Sequence, residues 1–138
     1  MPDAIVVDSG PLVALFDHND HYHAKALAFI RKQRCHLLSV MPVVTETMYL
    51  LDFSLRAQLD FLKWVASGAI ELVETNETDL ERVIQLMDKY ADLPMDFTDG
   101  LLVAICERLG NKRIATVDSD FTLYRYNDRS RFINPFLD

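Results

Sequence analysis

Cysteine, glycine and long apolar runs are all scarce in this sequence. Its 138 residues include two cysteines and four glycines, a composition that excludes a disulfide framework and a collagen-like chain. No apolar run approaches the roughly 18 residues of a membrane-spanning helix, and the first residues lead us to expect no secretory signal. No Gly/Ser/Pro-rich linker or internal repeat divides it. We therefore expect a single domain over residues 1–138 and a cytoplasmic location.

Positive charge is also in short supply. Fourteen Lys and Arg residues face 21 Asp and Glu residues, which gives a net charge of −7 and a pI near 5.0. A protein that passively coats nucleic acid would be basic, so that role is disfavoured. An enzyme that acts on nucleic acid through bound cations is not excluded, and the positions of the acids therefore matter more than their number.

What the chain does contain is an alternation of short apolar runs and longer segments of helical periodicity. The pattern predicts a three-layer α/β/α fold with a central, mainly parallel sheet of four or five strands. Thr78 and Glu81 have the spacing of a capping box. Strands are predicted at residues 4–7, 36–40, 69–74, 113–117 and 131–133, and helices at 12–16, 24–32, 42–52, 55–67, 78–90 and 97–109.

Several acids lie where such a fold binds ligands, beyond the carboxyl ends of its parallel strands. Asp8 directly follows the first predicted strand, and Asp118 follows the strand at 113–117. Glu46 lies in the first turns of the helix after the second strand. Asp99 lies at the start of the 97–109 helix, with Asp96 three residues earlier on a similar side. We expect these side chains at one edge of the sheet.

Each acid also has a purely structural explanation. Asp8 and Asp96 are good helix caps, whereas Asp118 and Asp120 suit solvated turns. Glu46 is harder to explain in this way, because its sequence neighbours are mostly apolar. Buried carboxylates of like charge resist ionisation unless a cation compensates them. Their oxygens suit Mg²⁺ or Mn²⁺, which can activate water for displacement at phosphorus.

Other candidate sites are weaker. The histidine pair His21 and His23 has the wrong spacing for one helical face, so a solvated or capping role is favoured over zinc binding. Cys106 is expected to be a core thiol. Ser9 has no histidine relay and is interpreted as a turn residue or a water-positioning hydroxyl. The sequence contains no dinucleotide-binding or P-loop motif.

The C-terminal third carries basic and aromatic side chains whose use is left open. Its arginines either hold phosphates or are solvated, and Tyr124 and Tyr126 either stack on an unpaired base or pack in the core. No pattern identifies the substrate-binding residues. The basic side chains of this region are Arg108, Lys112, Arg113, Arg125, Arg129 and Arg131.

Four segments, taken in order, resemble the PIN domain family, in particular the VapC-like ribonucleases of bacterial toxin–antitoxin pairs. The resemblance covers nearly the whole chain, and it is the order and spacing of the segments that make it specific. The segments are IVVDSGPLVALF from Ile5, TE at Thr45, LPMDFTDGLLVA from Leu93 and IATVDSDF from Ile114.

The resemblance implies an Mg²⁺- or Mn²⁺-dependent endoribonuclease that hydrolyses RNA phosphodiester bonds, as the toxin of a toxin–antitoxin pair. Asp8, Glu46, Asp99 and Asp118 match the four acidic positions of the family. It implies that Asp8 and Asp99 are the most direct metal ligands. Glu46 and Asp118 complete the site, in part through water, and orient the attacking hydroxide.

Further positions follow from the same resemblance. Thr116 is placed beside the metal-bound water, and Ser9, Asp96 and Asp120 support the site. Gly10 departs from the family, which often has a hydroxyl or amide residue there. The resemblance also implies a homodimer formed through apolar helical surfaces. A small antitoxin would inhibit by inserting a segment across the acidic cleft, with a basic side chain displacing the metal.

Two other functions remain open at this point. A PIN-shaped module that binds RNA or protein without cleavage would need no repulsive cluster of acids, which argues against it. A metal-dependent phosphomonoesterase would be expected to carry a second Asp two residues after the first, whereas Asp8 is followed by Ser9 and Gly10.

Overall fold

Four parallel strands form the central sheet of the computed structural model, which describes residues 3–93 and 95–138. The first strand is central and its side chains are all buried, because apolar residues face helices on both sides of the sheet. The strands are β1 (Ala4–Val7), β2 (His36–Ser39), β3 (Glu71–Leu72) and β4 (Ile114–Ala115), in the spatial order β3-β2-β1-β4.

Six helices of the described residues flank this sheet, so the predicted α/β/α class and its mainly parallel sheet are confirmed. Pro94, which belongs to the third sequence segment, lies outside the described residues. None of the helices within the described residues is long and apolar enough to cross a membrane. The helices are α1 (Ser9–Phe16), α2 (His23–Lys32), α3 (Met41–Leu50), α4 (Leu55–Ala66), α5 (Glu77–Lys89) and α6 (Phe97–Leu109).

Four of the six helices begin earlier than predicted, α1 by three residues and α2, α3 and α5 by one residue each. Helix α1 starts at Ser9 rather than residue 12, because the Asp8 carboxylate accepts a 2.8 Å hydrogen bond from the Ser9 N–H and caps the helix. The capping box of α5 is formed by Asn76 and Asp79, not by Thr78 and Glu81. Asn76 Oδ1 accepts from the Asp79 N–H at 2.8 Å, and Asp79 Oδ2 accepts from the Asn76 N–H at 3.0 Å.

The C-terminal segment differs most from the prediction. The strand expected at residues 131–133 is instead β6 (Ser130–Arg131), which pairs antiparallel with β5 (Arg125–Tyr126). Ile133 alone bridges in parallel to Arg113, beside β4. The hairpin turn has two residues with positive φ, a backbone that suits the Asn-Asp pair found there.

Charged side chains tie this hairpin to helices α5 and α6. Arg82 donates to Glu107 Oε1 at 2.7 Å and to Asp128 Oδ1 at 3.1 Å. Lys89 reaches the same Asp128 oxygen at 2.7 Å, and Glu107 Oε2 accepts from the Asn127 N–H at 2.7 Å. These contacts lower the pKa of Asp128 below its usual value. The hairpin is therefore held against the helix that carries Asp99.

Candidate active site

Asp8 lies at the carboxyl end of β1 and is almost fully buried. Its Oδ1 caps α1 through the Ser9 N–H, and its Oδ2 accepts a 2.9 Å hydrogen bond from the Thr116 hydroxyl. Both bonds favour the charged carboxylate. Burial nevertheless raises the pKa of Asp8 to about 6, and the nearby charges of Glu46 and Asp118 add to the rise.

Thr116 connects Asp8 with the chain that carries Asp118. While its hydroxyl donates to Asp8, its Oγ1 accepts from the Asp118 N–H at 3.0 Å. Asn134 braces the residue from the other side by donating to the Thr116 carbonyl at 2.9 Å. Asp118 Oδ1 in turn accepts from the Asp120 N–H at 2.9 Å and caps a short 3₁₀ helix. These bonds hold the Asp118 backbone beside Asp8.

Glu46 reaches the same edge from α3. The buried Ser9 hydroxyl donates to Glu46 Oε1 at 3.1 Å and thereby links α1 to α3. Glu46 is half-buried, so the prediction that its apolar neighbours enclose it is only partly correct. Val43 and Val44 are buried, but Tyr49 is 73% exposed because that face of α3 points away from the core.

Asp99 reaches the site from the first turn of α6 and is buried. Its N–H donates to Asp96 Oδ1 at 2.9 Å, which makes Asp96 the cap of the helix. Its Oδ2 accepts a 3.1 Å hydrogen bond from the Tyr124 hydroxyl. Burial raises the pKa of Asp99 to about 7, and the charges of Asp96, Asp8 and Asp118 raise it further.

The structure thus brings acids from four distant segments within electrostatic reach of one another. Asp8 is affected by Glu46 and Asp118, and Asp99 by Asp8, Asp118 and Asp96. Asp120 lies beyond Asp118. Desolvation raises the pKa of Asp120 above its usual value, and the charge of Asp118 raises it further. These positions fit the predicted site, and the chemical role of each residue stays a prediction.

Carboxylate and hydroxyl oxygens line this edge, which is the donor chemistry preferred by hard divalent cations. Within residues 3–93 and 95–138, no ion pair includes Asp8, Glu46, Asp99 or Asp118. No three acidic, histidine or cysteine side chains in that part of the chain already converge as a metal-binding group. The acids are close enough to repel one another, but their oxygens do not converge on a single metal-binding position.

A cavity of about 500 Å³ adjoins the acidic edge, a size typical of ligand-binding clefts. Asp118 forms part of its wall, together with the aromatic rings of Phe121 and Phe132 and the exposed Arg131. Two other basic residues have structural partners, because Arg108 pairs with Asp79 and the Arg125 guanidinium donates to backbone carbonyls. Of Arg108, Arg125 and Arg131, it is Arg131 that lines the cavity and is placed to meet a ligand beside Asp118.

Sequence reasoning missed the roles of two residues. Tyr124 is fully buried, so of its two predicted uses the structure selects core packing over base stacking, and its hydrogen bond to Asp99 was not predicted. Asn134 was not singled out, although it braces Thr116. The sequence carries no signal for either contact, because the partners lie 25 and 18 residues apart on different elements.

Fold and site together define an α/β/α domain with an acidic cluster beyond the carboxyl ends of its parallel strands. A family model described as PIN domain matches residues 5–126, and the chain belongs to that family. Ribonuclease VapC26 of Mycobacterium tuberculosis is 28% identical over 116 residues, which cover 83% of this chain and 86% of that relative.

A solved structure shows the same fold. The crystal structure of Mycobacterium tuberculosis VapC20, described as a sarcin–ricin loop cleaving toxin, superposes with a TM-score of 0.79. The sequences are 20% identical, and the match covers 86% of this chain and 93% of VapC20. The predicted resemblance to VapC-like PIN domains is confirmed.

Proposed function

We propose that this protein is a metal-dependent endoribonuclease that hydrolyses RNA phosphodiester bonds, and the toxin of a toxin–antitoxin pair. One observation carries the proposal: Asp8 and Asp99 are both buried at the ligand-binding edge of the sheet, within electrostatic reach of each other, and each has a pKa well above its usual value. A cluster of this kind is costly for a purely structural protein and useful to a metalloenzyme. The naming of VapC26 as a ribonuclease supports the same activity.

The residues fit a hard divalent cation, which we assign as Mg²⁺ or Mn²⁺. Asp8 and Asp99 would hold it directly, and Glu46 and Asp118 would complete the site, in part through water. When bound, such an ion stabilises charge on a phosphoryl group and lowers the pKa of a water molecule. Loading the site requires the carboxylates to lose their protons and to draw together, so binding is pH-dependent.

The remaining residues orient this set of acids. Thr116 holds one oxygen of Asp8 and the backbone of Asp118, and Ser9 holds Glu46. Asp96 fixes the first turn of α6, from which Asp99 projects. Asp120 adds negative charge near Asp118. A phosphodiester enters over this edge, and the neighbouring cavity with Arg131 has room for an adjoining nucleotide.

The proposed partners follow from this role. They are an RNA substrate, a small antitoxin and a second copy of the chain, and the expected location is the cytoplasm. Large apolar side chains on and between α3 and α4 are exposed, among them Tyr49, Phe53 and Leu55. An apolar surface of this kind supports association with a protein partner.

The test is cleavage of an RNA panel with Mn²⁺, Mg²⁺ or EDTA. A sarcin–ricin loop RNA belongs in the panel because VapC20 is described as cleaving that loop. Asp99→Asn is run in parallel to expose contaminating nuclease, and Asp92→Asn, an exposed acid outside the site, is the matched control. Discrete cuts that EDTA and Asp99→Asn both abolish, and that Asp92→Asn retains, support the proposal.

Two alternatives are separated by the same experiment. RNA that is bound but never cut, with any of the metals, favours the non-catalytic binding module. Hydrolysis of nitrophenyl phosphate without RNA cleavage favours a phosphomonoesterase. Cleavage that persists in Asp99→Asn at the wild-type rate contradicts the assigned site.

A further inference from the structure

The Tyr124 side chain ends at the proposed metal site. Tyr124 is not among the four positions that match the acids of the family. The residue is fully buried, and its hydroxyl donates to Asp99 Oδ2 at 3.1 Å. A hydroxyl that donates to a charged carboxylate makes a stronger hydrogen bond than one that donates to a neutral acceptor.

The position of this hydroxyl is set by the packing of the ring against two neighbouring aromatic rings. The Tyr124 ring lies against Tyr90, with a centroid distance of 5.2 Å, and edge-on to Phe121 at 5.1 Å. A side chain packed in this way has little rotational freedom. The hydroxyl is therefore already in place before any ligand arrives.

The backbone at Tyr124 is held equally well. The Arg125 guanidinium donates to the carbonyls of Thr122, Leu123 and Tyr124 at 2.9 to 3.1 Å. The Arg125 N–H donates to the Tyr90 hydroxyl at 3.0 Å. The next residues form the β5–β6 hairpin, which the ion pairs of Asp128 tie to α5 and a hydrogen bond from the Asn127 N–H to Glu107 ties to α6.

The two acids assigned as direct ligands are supported in the same way. A hydroxyl from a distant element fixes Oδ2 of each, Thr116 for Asp8 and Tyr124 for Asp99. The Asp99 N–H is fixed by Asp96, and no hydrogen bond among the described residues occupies Asp99 Oδ1. The carboxylate is thus oriented through one oxygen and open at the other.

We propose that Tyr124 is a positioning residue for the metal site: its hydroxyl orients Asp99 so that Oδ1 faces the cation. This inference rests on the proposed function, because it requires Asp99 to be a ligand. Partners that hold a ligating carboxylate typically contribute 10- to 100-fold to metal affinity. Tyr124 acts through Asp99 and does not itself contact the substrate.

The test measures Mn²⁺ binding to the full chain by calorimetry, without RNA, for wild type, Tyr124→Phe and Tyr90→Phe. Tyr124→Phe keeps the ring and its packing and removes only the donor to Asp99. Tyr90→Phe is the matched control, because it removes the hydroxyl of the adjacent ring, which bonds a backbone N–H instead. Circular dichroism in EDTA checks that each variant is folded.

We expect Tyr124→Phe to bind Mn²⁺ about tenfold more weakly and Tyr90→Phe to bind it as wild type does. Raising the Mn²⁺ concentration then restores RNA cleavage by Tyr124→Phe, which a merely structural defect would not allow. Wild-type affinity in Tyr124→Phe overturns the inference, and so does an equal loss in both variants. Absence of Mn²⁺ binding by wild type overturns the proposed function itself, and the inference with it.

Discussion

Thr116 and Asp8 are joined by a 2.9 Å hydrogen bond that crosses from β4 to β1 at the carboxyl edge of the sheet. The same Thr116 oxygen accepts from the Asp118 N–H at 3.0 Å, so one buried hydroxyl serves two of the acids. Because a hydroxyl can donate once and accept at the same time, it suits this bridging position. The orientation of Asp8 therefore depends on how β4 ends.

Thr116→Val tests this dependence. Valine has nearly the same shape but removes the donor to Asp8 and the acceptor for Asp118. We expect the cleavage rate to fall roughly 10- to 100-fold and the free energy of unfolding to fall by about 1 to 3 kcal/mol. Thr78→Val is the control, because Thr78 is exposed in the first turn of α5 and lies outside both the acidic edge and the adjoining cavity. Equal rates in the two variants, measured on the same RNA, would contradict the assigned role.

Asp99→Asn is expected to make the metal-free protein more stable at alkaline pH. The folded-state pKa of Asp99, about 7, lies above the usual value of 3.8 for an aspartic acid. Stability from the protonated acid is therefore complete below about pH 4 and is lost as the pH rises through 7. At pH 8 the variant avoids this loss, which we put at about 1 to 3 kcal/mol after allowing for solvent screening.

Urea unfolding in EDTA at pH 4.5 and pH 8 measures this effect. The stability advantage of Asp99→Asn over wild type should be small at the lower pH and clearly larger at the higher. Asp92→Asn serves again as the exposed control and should show no such pH dependence. A variant that is less stable than wild type at pH 8 would show that Asp99 is not electrostatically strained.

Divalent metal is expected to raise the melting temperature, and more so at high pH. At a free concentration 100 times Kd, binding stabilises the folded state by about 2.7 kcal/mol, which corresponds to several degrees. Asp8 and Asp99 lose their protons near pH 6 and 7, so the shift at pH 8 should exceed the shift at pH 5.5. Melting curves of wild type and Asp8→Asn with Mn²⁺ at both pH values check this. A wild-type shift that is the same at the two pH values, or the same as that of Asp8→Asn, would count against the site.

Gly10 is expected to resist substitution because of Val117. An added Cβ at Gly10 would clash with Val117 Cγ2, and such a clash costs about 1 to 3 kcal/mol when packed atoms must move. Gly10→Ala should therefore be destabilised in spite of the better helix propensity of alanine. Combining it with Val117→Ala should restore part of the loss. Thermal melts of both single variants and the double variant decide the matter, and simple additivity would contradict it.

The location of the acidic edge could be predicted from sequence because it depends on local patterns. A four-residue apolar strand ends at Asp8, and a second strand leads to Asp118, so the geometry of parallel sheets places both carboxylates at the same edge. The buried helix that carries Asp99 is equally visible in the apolar run after it. The order of the four segments was sufficient to indicate the PIN family, which the comparison confirms.

Local patterns were less informative about the residues at which helices begin and about which strands pair. The capping box of α5 lies two residues earlier than expected, because Asn76 and Asp79 satisfy each other's backbone groups. The last predicted strand is divided: Ser130–Arg131 pairs with its own hairpin partner, and Ile133 bridges to Arg113 beside β4. More than one segment of this chain fits the pattern of a capping box or of a strand. Only the packed structure determines which segment adopts it.

The sequence by itself therefore determined the α/β/α class, the edge at which the acids gather and the family. The tertiary structure alone decided which side chains hold those acids: Ser9 for Glu46, Thr116 for Asp8 and Tyr124 for Asp99. The physical reason is that hydrophobic periodicity reports which face of an element is buried. A hydrogen bond between elements depends instead on the orientations of two side chains far apart in the chain, which only three-dimensional packing specifies.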